Sequence, residues 1–146
     1  MGKVVKIGIS KTKGSEIFSL DKIDVIKGKG LLNDRKLNDN NEKDKQITLI
    51  EIENINSYNS KFKTNIEPLN LRRNIVTKDI NLNNLVGKEF FVGSIRLKAH
   101  DLCRPCKYLQ DKLNINNFIK EFLLKGGIRC EIMSSGTIKL EDKIDQ

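Results

Sequence analysis

The chain has 146 residues, of which 38% are apolar and 5% aromatic, with no tryptophan and a formal net charge of +8. This length fits one domain over residues 1–146, long enough to bury a core without disulfide support. The charge favours anionic partners without choosing among nucleic acid, phosphorylated cofactors and acidic membranes, and no run approaches the ~18 apolar residues of a membrane-spanning helix.

Val4 to Ile9 predicts a first strand, rich in β-branched residues with partial alternation, and Ile23 to Ile26 a second. Residues 27–45 are rich in Gly, Asn and Asp and carry no period, which predicts a long loop of the kind that is often functional. Gln46 to Glu51 is strongly β-prone. A helix follows from Ile52 to about Phe62, with Ile55, Tyr58 and Phe62 on one face. Arg73 to Thr77 predicts another short strand, and Leu82, Leu85 and Val86 a helical turn before Gly87.

Residues 88–98 predict a hairpin: Phe90 to Val92, a Gly93-Ser94 turn, then alternation through Ile95, Leu97 and Ala99. Pro105 suits the first turn of a helix. Asn116 or Asn117 caps a further helix to Lys125, ended by Gly126-Gly127. Two short strands, Ile128 to Met133 and Thr137 to Leu140, close the chain. Many short strands with a few helices predict an α+β, mostly β domain of barrel type. Dinucleotide and P-loop fingerprints are absent.

Chemistry concentrates at three places. Cys103-Arg104-Pro105-Cys106 allows a redox pair, a zinc half-site completed by His100 and Cys130, or a single reactive thiolate at Cys106 activated by Arg104 and Lys107. Arg72-Arg73-Asn74 offers many donors, suited to a phosphate or a pterin edge. Asp34-Arg35 lies in the polar loop, where an ion pair or a loop-ordering contact is the simpler role. The N-terminal MGKVVKIGIS lacks a signal-peptide core, and three cysteines, an odd number, argue against a secreted disulfide framework, so the expectation is a cytoplasmic protein with reduced thiols. Nucleic-acid binding would rest on charge alone, since stacking aromatics are few and no recognition motif occurs.

In order along the chain, these features resemble the MOSC domain family, named for the C-terminal module of molybdenum cofactor sulfurases. The matching elements are Gly28, Gly30 and Asp34-Arg35; Lys45-Gln46 leading to Glu51; Arg72-Arg73-Asn74-Ile75-Val76; Leu85, Gly87, Lys88, Phe90 and Gly93; Pro105-Cys106; and Gly126 through Ile138. Lys36 stands where the family often has His, and Lys45 where it has Arg. The resemblance implies a closed or partly open β-barrel related to the pyruvate kinase barrel domain. It implies a molybdenum cofactor (molybdopterin) held by Arg35, Arg72, Arg73, Asn74 and Arg104, with Cys106 as metal ligand or persulfide carrier. The implied activity is sulfur transfer or molybdenum-dependent reduction of N-hydroxylated compounds, with a separate cysteine desulfurase or redox protein as partner. The alternative is a non-catalytic module that binds zinc through the His/Cys cluster, or an anion.

Overall fold

A computed structural model of the chain describes residues 2–38 and 42–146; residues 39–41 of the expected polar loop lie outside the described residues. The strands are β1 (Gly2–Ser10), β2 (Ile17–Leu20), β3 (Lys22–Ile26), β4 (Gly30–Leu31), β5 (Ile47–Glu51), β6 (Ile75–Lys78), β7 (Glu89–Val92), β8 (Ile95–Leu102), β9 (Ile128–Ile132), β10 (Gly136–Lys139) and β11 (Lys143–Asp145). The α-helices are α1 (Ile52–Phe62), α2 (Lys107–Leu113) and α3 (Phe118–Glu121).

Seven strands close a barrel in the order β11-β7-β8-β9-β5-β6-β1, with β1 returning to β11. β2 extends the sheet beyond β1, and β10, β3 and β4 form a second small sheet. The pairings are antiparallel except β5–β6, whose parallel register needs the crossover that α1 provides. The fold is thus the mostly β barrel that composition and element order predict.

Alternation explains the core. In β7 and β8 the inward residues Phe90, Val92, Ile95, Leu97 and Ala99 are buried, and their neighbours face outward. Register aligns Ile7, Ile75, Leu49 and Ile128 in one row across four neighbouring strands, all fully buried. Each such side chain contributes about 1.5–3 kcal/mol by leaving water. Outside the barrel, α1 buries Ile55 and Tyr58 against a second cluster with Leu109, Phe118 and Phe122. No helix among the described residues is long and apolar enough to cross a membrane.

Some elements differ from the sequence expectation. The polar loop is not wholly irregular: β4 and two 3-10 turns, Arg35–Asn38 and Lys43–Lys45, interrupt it. Pro105 precedes α2 rather than opening it. The Cys103 N–H donates to Gly127 O at 2.8 Å, which prolongs the β8–β9 pairing by one residue, and a residue before proline favours extended backbone. The helix therefore begins after Cys106, whose φ and ψ of -126° and 160° are extended. The helix expected to reach Lys125 stops at Glu121. Leu124 takes a left-handed φ of 65°, and its carbonyl accepts a hydrogen bond from Asn83 Nδ2 at 2.8 Å, so a tertiary contact overrides the helical pattern.

Candidate functional site

The row Ile7–Ile75–Leu49–Ile128 ends in polar residues that meet in a cleft. Gly8, Ile9 and Ser10 follow Ile7, Arg72 to Asn74 precede Ile75, and Asp34 to Lys36 cover both. Asp34 is buried and ties the covering segment down: its Oδ1 accepts the Ser10 N–H at 3.0 Å and its Oδ2 accepts the Lys36 N–H at 3.2 Å.

Asn74 works mainly as a clamp between strands. Its Oδ1 accepts from Thr48 N–H at 3.1 Å and Thr48 Oγ1 at 3.2 Å, and its Nδ2 donates to Gly8 O at 3.2 Å. Both carbonyl lone pairs are thereby used and one amide N–H is left.

Arg72 is held in the left-handed region at φ 63°, where it ends the 3-10 turn Pro68–Leu71. A non-glycine residue there costs on the order of 1 kcal/mol. Two bonds offset it: Nη1 donates to Ser15 O at 2.9 Å and Nη2 to Ser10 Oγ at 3.1 Å. Arg73 donates from Nε to Gly126 O at 2.9 Å and from Nη1 to Leu71 O at 3.2 Å. A guanidinium has five N–H donors, so each arginine is fixed in direction and keeps donors to spare.

Among the described residues, none of Arg35, Lys36, Arg72 and Arg73 is in an ion pair within 4 Å. Four cations thus face one carboxylate whose two oxygens already hold backbone N–H groups. Burial, then the Arg35 charge, pushes the Lys36 ammonium below its ordinary 10.5, while Asp34 pulls the other way. The centre of the cleft is narrow, about 10 Å³, room for about one water. It shares Ile17 and Arg72 with a hollow of about 350 Å³ lined also by Ser15, Asn70 and Lys112, and shares Arg35 and Lys36 with another of about 310 Å³ reaching Glu42 and Lys45.

The two cysteines of the CxxC element have different surroundings. Cys103 is buried; loss of solvent raises its thiol above the ordinary 9.0, and Arg73, Lys36 and Arg129 oppose that rise. Cys106 is exposed at the start of α2, whose far end reaches the larger hollow and donates from Lys112 Nζ to Gly14 O at 3.2 Å. The seven residues of α2 separate Cys106 from that wall by about 10 Å along the axis. Residues 103–106 run without a turn, unlike a redox CxxC closed upon itself. The cations flanking Cys106 have carboxylate partners: Arg104 lies 3.6 Å from Asp101, and Lys107 3.3 Å from Asp111. Arg104 therefore points its charge to Asp101 and, among the described residues, does not line the cleft.

The zinc alternative lacks its ligand cluster. His100 Nε2 is 2.9 Å from Glu131, Cys130 is fully buried between β5 and β8, and no group of three His, Cys, Asp or Glu side chains among the described residues is arranged to hold a metal ion. Two residues of the site carried no assignment from the sequence. Lys36 stood out only as a departure from the family pattern. Arg129 lies in the Gly-Gly-Ile-Arg element, which marks its place in the chain and not its charge partners.

Together these features define a small closed β-barrel domain with a cationic cleft at its strand ends and a free, exposed thiol at the start of α2. The chain belongs to the MOSC domain family, whose model matches residues 31–145. Its fold is similar to that of the YuaD protein from Bacillus subtilis, with a TM-score of 0.80 at 21% identity, covering 99% of this chain and 94% of that one. YiiM from Geobacillus stearothermophilus is similar with a TM-score of 0.78 at 14% identity, covering 99% of this chain and 74% of that one. YiiM from Escherichia coli gives 0.73 at 16% identity, covering 99% and 69%. No curated protein matches the chain in sequence. The family is linked to molybdenum cofactor binding or sulfur transfer.

Proposed function

We propose that the chain is a molybdenum cofactor-binding or sulfur-carrier protein that works through Cys106 as a thiolate or persulfide. The observation that carries this reading is the convergence of Arg35, Lys36, Arg72 and Arg73 on one cleft without an ion-pair partner among the described residues. Phosphate-bearing pterins need such an arrangement: donors fixed in direction, surplus positive charge and partial exclusion of water. The adjoining 350 Å³ hollow lies within the size range of small-molecule sites. The residues present therefore fit the group.

In this reading Arg72 and Arg73 orient the anion through their remaining N–H donors, and Arg35 and Lys36 close over it. Asn74 holds β1, β5 and β6 in register beneath them and offers its one spare N–H. Cys106, exposed and free, would ligate the metal, or its thiolate would attack the outer sulfur of a desulfurase persulfide, taking that sulfur and releasing the donor's cysteine thiolate. When bound, the cofactor would supply two-electron redox chemistry. The sulfur donor, a cysteine desulfurase, or the redox partner is a separate chain. Reduction of N-hydroxylated compounds is the reductase form of the same proposal, and the reduced thiols suit the cytoplasm.

The test is expression in cells that make the cofactor, followed by assay of the purified chain for molybdenum and pterin and by mass spectrometry of Cys106. The expected result is molybdenum with pterin, or a persulfide on Cys106. A chain free of all three contradicts the proposal.

A further inference from the structure

Arg129 joins two segments that flank the cleft. Its Nη1 lies 3.5 Å from Asp44 in the 3-10 turn Lys43–Lys45, and its Nη2 lies 3.1 Å from Asp101 near the end of β8. Asp101 accepts the Leu102 N–H at 2.7 Å and lies 3.6 Å from Arg104, which sits between the two cysteines. The charges alternate along the chain of contacts: Asp44, Arg129, Asp101, Arg104. At one end is the 3-10 turn that ends in Lys45, which lines one hollow together with Glu42, Arg35 and Lys36. At the other is the segment that carries Cys103 and Cys106.

A bulge in β8 makes this chain possible. Register steps from Ala99 opposite Cys130 to Asp101 opposite Arg129, so His100 is the extra residue. In regular pairing His100 would face Arg129 and Asp101 would face Ile128. The bulge sets a carboxylate directly across from the guanidinium, on the same face of the sheet. It also turns His100 toward Glu131 at 2.9 Å.

The environment of Arg129 is unlike that of an ordinary surface pair. Its side chain is 28% exposed, and its Nε is buried with no acceptor among the described residues. The guanidinium is thus held by two carboxylates from different segments. Removing it would leave Asp44 and Asp101 facing each other without a cation between them.

We infer that Arg129 is a positioning residue that locks the cysteine-bearing segment 103–106 to the segment lining the cationic cleft. Its importance for chemistry rests on the reading of Cys106 given above, but the lock itself does not. Opening of the lock releases Cys103, which is 8% exposed in the closed arrangement.

The experiment is alkylation of the full chain by iodoacetamide, with the rate at each cysteine read by peptide mass spectrometry. In the unsubstituted protein Cys103 reacts slowly and added salt speeds it. In Arg129→Met its rate rises about tenfold through more frequent local opening, with no further effect of salt, while Cys130 stays protected. Arg129→Lys, which keeps the charge, restores most of the protection. Asp44→Asn, which cuts one arm and leaves Asp101 with Arg104, moves Cys103 in the same direction and decides the matter if Arg129→Met does not fold. An unchanged Cys103 rate in both variants overturns the inference. So does parallel exposure of Cys103 and Cys130, which would make Arg129 a support of global stability only. None of these outcomes depends on whether the purified protein carries molybdenum, pterin or persulfide.

Discussion

Arg73 and Asn74 are neighbours in one motif and do different work. Asn74 is buried, and its side chain makes hydrogen bonds to Thr48 N, Thr48 Oγ1 and Gly8 O. Asn74→Ala leaves the buried Thr48 N–H without its acceptor and is expected to cost about 2–4 kcal/mol, read by urea denaturation. Arg73 is half-buried and, among the described residues, bonds to two backbone carbonyls, so Arg73→Ala is expected to cost about 1 kcal/mol while weakening anion binding. Equal losses of stability would contradict this division. From sequence alone both residues read as ligand donors. Burial separates them, because a strand-joining amide and a free guanidinium look alike until the neighbouring strands are in place.

The elements show which signals the sequence carries and which it does not. β1, β5, β7, β8 and α1 were legible from alternation and helical spacing, because their apolar residues are many and regular. β11 was not. It spans Lys143–Asp145, and its one buried side chain is Ile144. Yet it pairs with both β1 and β7 and so closes the barrel. A three-residue strand with one apolar position has no period to detect; its pairing comes from the two edges that await it. Gly127 illustrates a constraint that the Gly-Gly pair only hinted at. Its φ is 95°, and a Cβ there would run into Leu49 O, a backbone atom of β5 that cannot move aside. Gly127→Ala is expected to cost about 3 kcal/mol or more, measured by thermal or urea unfolding, because both strain and clash act where β9 enters the sheet. A loss below about 1 kcal/mol would contradict that placement.

For the whole molecule, the two buried thiols and Lys36 shape how the fold responds to alkaline pH. Cys130 is fully buried, and loss of solvent, then the neighbouring Cys103, holds its thiol well above the ordinary 9.0. The unfolded chain therefore releases this proton first. Stability is fully present below pH 9 and is lost as pH rises from 9 toward the folded value, at about 1.4 kcal/mol per pH unit for each such thiol. Cys103 acts in the same direction, and Lys36, whose folded value is lowered, acts oppositely as pH approaches 10.5. Unfolding free energy measured against pH should fall more gently above pH 9 in Cys130→Ala than in the unsubstituted protein; parallel curves would contradict the assignment. The family and the barrel were readable from the order of motifs. The pairing of Arg104 with Asp101 was not, because the bulge that brings Asp101 to Arg129 has no signature in the residues themselves.

We propose that the cleft of Arg35, Lys36, Arg72 and Arg73 holds an anionic molybdenum-bearing pterin. The most direct measurement is molybdenum and pterin content per chain after expression in cofactor-producing cells, with the unsubstituted protein, Arg73→Ala and Cys106→Ser compared. Both components are expected in the unsubstituted protein, with their loss from folded Arg73→Ala and pterin retained with altered metal content in Cys106→Ser. Undiminished pterin in Arg73→Ala would contradict it.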